Sequence, residues 1–169
     1  MSFVSRGFRG RRRDADDDPA RVPPGQSVTR DFPVLSAGPT PHTPLDQWTF
    51  SIENGDTTWE GVSVDTLLDQ IDHDAGYVLA FCDGGYTTNL PLEDVTGGKA
   101  WVVDTYEGEP LDPEHGGPAR LLVPHLYFWK SAKWVRGLRL LDEDEPGFWE
   151  TYGYHMYGDP WREQRYSGD

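Results

Sequence analysis

The chain is 169 residues long, which suits one domain with a single buried core. Its formal net charge is −14 and lysine occurs only at Lys99, Lys130 and Lys133, a balance that argues against nucleic acid as the main partner and fits a salt-adapted, halophilic host whose ions screen an acidic surface. No apolar run approaches the roughly 20 residues that span a bilayer, and the lone Cys82 excludes an internal disulfide, so the expectation is a cytoplasmic protein with no membrane partner.

Residues 1–21 read as a disordered, charged tail. Arg6, Arg9, Arg11, Arg12 and Arg13 are followed by Asp14, Asp16, Asp17 and Asp18 where an export signal would be apolar. A folded domain is expected over 22–169, opening at Val22-Pro23-Pro24-Gly25. Pro, Gly, Ser and Thr crowd 32–44, which predicts an ordered loop leading to a strand over 48–52. Ser63 is a candidate N-cap, and Val64, Leu67, Leu68 and Ile71 recur at helical spacing, so a helix with one buried side is expected there. Strands follow over 77–82, 100–106, 120–123 and 133–141, separated by the glycine pairs at 84–85, 97–98 and 116–117. The fold class is α+β, mixed sheets with few helices.

One stretch departs from the acidic average. Residues 116–141 contain no carboxylate but hold Arg120, Lys130, Lys133, Arg136 and Arg139. Placement this uneven predicts a bound anion. Guanidinium pairs with phosphate through two hydrogen bonds and lysine supplies a mobile point charge, which makes Arg120 and Lys133 candidate phosphate ligands. His115-Gly116-Gly117-Pro118 brings an imidazole and flexible backbone to the same place. The competing reading is that these cations balance acids elsewhere on the fold. Aromatic residues at Tyr127, Phe128, Trp129, Trp134 and from Phe148 to Tyr166 are expected mainly to pack, and Cys82, ending an apolar strand, to behave as a small hydrophobe. His115, His125 and His155 lack metal-site spacing.

The run Glu114-His115-Gly116-Gly117-Pro118-Ala119-Arg120-Leu121-Leu122-Val123-Pro124 and the following Phe128-Trp129-Lys130-Ser131-Ala132-Lys133-Trp134-Val135 resemble the pterin-binding segment of the sulfite oxidase-like molybdopterin oxidoreductases. The segment from Phe81 to Leu92 and the closing Gly153-Tyr154-His155-Met156-Tyr157-Gly158-Asp159-Pro160-Trp161 resemble the small cytosolic branch of that superfamily. The resemblance implies a sulfite oxidase-like fold holding a molybdenum-molybdopterin cofactor. His115, Arg120, Ser131, Ala132 and Lys133 match positions that contact the pterin or its phosphate, and Ser36 is a looser match to an N-terminal contact. It further implies oxygen-atom transfer at a small sulfur-centred substrate and an electron-transfer partner.

In that superfamily a cysteine thiolate binds the metal, in a segment between the first strand and a Trp-Glu-Gly-Val motif. Here Asp56-Thr57-Thr58 alone separate Gly55 from Trp59-Glu60-Gly61-Val62. The cysteine segment is therefore absent, which predicts an incomplete fold and a greater loss of turnover than of pterin binding, because a thiolate tunes the metal's potential and geometry. The alternative is a non-catalytic cofactor-binding or interaction module derived from the same family.

Overall fold

A computed structural model of the chain describes residues 22–26, 51–54 and 57–169. The tail over 1–21, the loop over 32–44 with Ser36, and the start of the strand over 48–52 lie outside the described residues.

Two antiparallel sheets carry the fold. The first contains β1 (Ser51–Asn54), β2 (Thr57–Ser63), β5 (Trp101–Tyr106), β6 (Glu109–Pro110) and β7 (Arg120–Leu122), with β2, β6 and β7 all pairing with β5. The second has the order β4 (Thr87–Pro91), β3 (Tyr77–Cys82), β8 (Val135–Leu141). Val78, Ala80, Cys82 and Leu90 of the second sheet meet Leu121 of the first in one apolar cluster, together with Val64, Leu68, Val95, Val123 and Ala132. Only two short α-helices occur among the described residues, α1 (Val64–Leu68) and α2 (Phe148–Thr151). The architecture is α+β with few helices, and no described helix is long and apolar enough to cross a membrane.

Ser63 caps α1 as its sequence position suggests, accepting the Thr66 amide at 3.1 Å. The helix stops after one and a half turns, earlier than its apolar spacing predicts. Ile71 lies beyond it and is 53% exposed. The Asp65 carboxylate turns away from the helix to accept the Gly97 and Gly98 amides at 2.7 and 2.9 Å, which ties α1 to the turn before β5 and draws its pKa below the usual carboxylate value, the Gly98 bond being the largest cause.

β3 and β5 occupy nearly the expected spans, whereas β8 begins at Val135 and not at 133. Trp134 has a φ of 56°, a left-handed conformation that no strand residue adopts, so the chain turns there before entering the sheet. β2 and β4 carry no clear alternation in sequence. In β4 three consecutive residues, Thr88, Asn89 and Leu90, are fully buried, because α2 and the C-terminal segment cover the face that would otherwise meet water.

β2 and β5 slip register between Glu60 and Gly61. A Cβ at Gly61 would collide with the backbone of Val102 and Val103. Gly61→Ala is therefore expected to destabilise the chain by about 1–3 kcal/mol through forced backbone shifts. Urea unfolding at fixed salt measures this, and an unchanged midpoint would show that the two strands separate freely.

Candidate cofactor-binding site

The segment from Gly116 to Val123 and the segment from Ser131 to Val135 lie side by side. The Leu121 amide donates to Ala132 O at 2.8 Å, the Val135 amide to Ala119 O at 3.0 Å, and the Trp134 amide to Gly116 O at 3.2 Å. The Ser131 hydroxyl accepts the Val123 amide at 2.9 Å. Gly116 has a φ of 110°, and a Cβ there would press on the side chains of Arg120 and Lys133 at 3.1 Å, so glycine lets the His115 turn close over both cations. Five sequence candidates, His115, Arg120, Ser131, Ala132 and Lys133, thus converge in one cradle. Ser36 is outside the described residues.

Four of the five cations of the carboxylate-free run divide by environment. Lys130 is completely buried and pairs with Glu150 at 2.7 Å, and Arg136 approaches Asp83 at 3.6 Å. For these two, balance of acids elsewhere on the fold is the correct reading. Arg120 and Lys133 have no carboxylate partner among the described residues. Arg120, wholly buried, donates through Nη1 to His115 O and through Nη2 to Ser131 O, both at 2.9 Å, while Lys133 Nζ donates to Glu114 O at 2.6 Å.

Burial, more than neighbouring charge, lowers all three basic groups. Burial pulls the Lys133 ammonium down to about 8, and the positive Arg120 pulls further in the same direction. Burial brings Arg120 down to about 10, which leaves it charged at neutral pH. The His115 imidazole is lowered by burial and then by Lys133. Each shift would be relieved by an anion.

Residues without a sequence signal complete the surroundings. The Phe128 ring covers the Arg120 guanidinium at 4.7 Å and Trp59 lies 5.8 Å from it. Phe128 is 44% exposed, an unusual position for a large apolar ring. Asn89 and the Met156 carbonyl surround Lys130 together with Glu150. Trp59 belongs to the Trp-Glu-Gly-Val motif and Phe128 to the aromatic crowd, so both were visible by type but not by role.

Residues 37–149 match the family described as oxidoreductase molybdopterin binding domain. Over 95% of its length the chain is 37% identical to the uncharacterized oxidoreductase YuiH of Bacillus subtilis (strain 168), of which it covers 98%. The chain belongs to the molybdopterin-binding oxidoreductase family. Members that match over shorter stretches include sulfite oxidase of Arabidopsis thaliana, 33% identical over 44% of this chain and 19% of that protein. Another is the catalytic subunit MsrP of a protein-methionine-sulfoxide reductase from Burkholderia mallei (strain ATCC 23344), 30% identical over 45% of this chain and 23% of that one. The chain thus spans less than a quarter of either of these two.

The alignment with YuiH occupies 196 positions, whereas 95% of this chain is about 160 residues, so roughly 35 aligned positions of the relative face no residue here. Ser51–Asn54 pairs directly with Thr57–Glu60 across only two intervening residues, which leaves no room for a further segment between these two strands.

The cradle fits the phosphate of the family's pterin. Lys133 and Arg120 supply positive charge and form no ion pair with a carboxylate among the described residues, and Arg120 Nε is buried with no acceptor among them. A metal-binding thiolate does not fit. Cys82, the one cysteine, is buried in the apolar cluster, where burial first and Asp83 second push its thiol up to about 12. No group of three His, Cys, Asp or Glu suited to a metal ion occurs among the described residues. Cys82 therefore acts as a core residue.

Proposed function

We propose that this chain holds molybdopterin by its phosphate in the cradle of His115, Arg120, Ser131, Ala132 and Lys133, with Ser36 as a further contact. We also propose that it serves oxygen-atom transfer at a small sulfur-centred substrate in concert with an electron-transfer partner. The observation that carries the reading is the convergence of two cations lacking acidic partners with the His115-Gly116-Gly117 turn. The sulfite oxidase and methionine-sulfoxide reductase relatives support the substrate class.

Bound molybdenum-molybdopterin supplies a metal that changes oxidation level by two electrons as oxygen is transferred. The chain's own contribution is placement. Lys133 Nζ donates one proton to Glu114 O and keeps two for an anion. The Ser131 hydroxyl accepts the Val123 amide and keeps its own proton to donate. Gly116 lets backbone approach closely, and Phe128 with Trp59 shields Arg120 from water.

A second reading is favoured by Cys82: a cofactor holder without redox turnover, because the only thiol lies in the core and resists ionisation. Sulfite oxidation with an artificial electron acceptor and methionine-sulfoxide reduction with a reduced dye separate the two. Turnover that disappears when the expression host is grown on tungstate supports the catalytic reading. Pterin bound without turnover of either compound supports the holder.

A further inference from the structure

Arg120 is, with Lys133, one of the two cations expected from sequence to contact phosphate directly, but its side chain is otherwise engaged. It has no exposed surface, its two Nη atoms reach carbonyls on separate loops, His115 O and Ser131 O, and Phe128 lies against its face. A planar guanidinium has fixed angles between its donors, so gripping two carbonyls at 2.9 Å each fixes the distance between the loops that carry them. Those loops present His115 and Gly116 on one side and Ser131, Ala132 and Lys133 on the other. Lys133, by contrast, spends one donor and keeps a flexible stem.

We propose that Arg120 is a positioning residue, a brace that sets the spacing of the His115–Gly117 and Ser131–Lys133 loops, and that Lys133 is the cation that meets the ligand. This rests on the cofactor-binding reading above. Two of the five guanidinium N–H groups are spent on the His115 and Ser131 carbonyls, and the buried Nε has no acceptor among the described residues, so the charge Arg120 keeps also favours an anion nearby.

A brace, unlike a ligand contact, acts on the loops whether or not a ligand is bound, so cofactor-free protein is where the two roles separate. Backbone hydrogen exchange on the cofactor-free chain is compared for wild type, Arg120→Met, Arg120→Lys and the tail variant Arg11→Ala, and pterin retention is read by fluorescence after oxidative release. Both Arg120 variants are expected to speed exchange in residues 113–118 and 130–134 about tenfold, and both lose retained pterin, although lysine preserves the charge. Arg11→Ala matches wild type. Should Arg120→Met unfold throughout, Arg120→Lys alone decides. Wild-type exchange in the two loops of Arg120→Lys, with or without retained pterin, overturns the proposal. A wild-type chain that retains no pterin counts against the cofactor reading and leaves the exchange result to decide the role of Arg120.

Discussion

Replacing Glu150 with glutamine is expected to lower the unfolding free energy by about 3–5 kcal/mol, the cost of stranding one charge of a buried pair. Lys130 and Glu150 have no exposed side-chain surface, and Lys130 Nζ lies 2.7 Å from Glu150 Oε1, 2.6 Å from Met156 O, and 2.8 and 2.9 Å from the two oxygens of Asn89. One ammonium thus joins β4, the turn before Ser131, α2 and the C-terminal segment. Glutamine keeps the shape and the acceptor for Trp129 Nε1 but removes the counter-charge. Burial already lowers the pKa of Lys130, against the opposing effect of Glu150.

Without Glu150 the lysine titrates lower still. A lysine whose folded pKa lies below its unfolded value destabilises the fold while protonated, so the loss in Glu150→Gln should shrink as pH rises through the folded value. Replacing both partners, Lys130→Met with Glu150→Leu, should recover more than half of the loss. Urea unfolding at constant salt measures all three variants. A loss under about 1 kcal/mol in Glu150→Gln would mean that water reaches the pair.

The second large effect concerns anion affinity and pH. Lys133 titrates near 8 in the ligand-free chain, held down by burial and by Arg120. An anion binds the protonated form, so affinity is full below that value and falls as pH rises through it. Between pH 7 and pH 9 the protonated fraction drops about tenfold, and sulfate affinity should drop with it. Sulfate is the suitable probe because it does not titrate in this window. Calorimetric titration at constant ionic strength should show the drop in wild type and a flat, weaker profile in Lys133→Met. The same slope in both proteins would mean that another group carries the pH dependence.

Much of this organisation was legible in the residues. The strands expected over 77–82 and 100–106 became β3 and β5, the latter starting one residue later, because each is flanked by turns and paired on both sides in its sheet. The carboxylate-free run pointed to residues that the fold brings together, but not to how its cations divide. It counted Lys130 with Arg120 and Lys133, although Lys130 answers Glu150 from a helix 20 residues further along the chain. Pairing across that separation leaves no local pattern. Nor does β4, where Thr88 and Asn89 are buried by elements brought over them in three dimensions. The early end of α1 at Leu68 and the turn at Trp134 are likewise tertiary outcomes, the former tied to the Asp65 bonds with Gly97 and Gly98, the latter to the bonds that Trp134 makes with Gly116 and Pro113.

The central claim is that the cradle holds molybdopterin without a protein thiolate, and pterin content per chain tests it most directly. Protein is purified in high salt from a host that makes the cofactor, beside YuiH prepared identically, and the pterin is released and quantified. The account predicts close to one pterin per chain in wild type. Pterin absent from this chain but present in YuiH would contradict it.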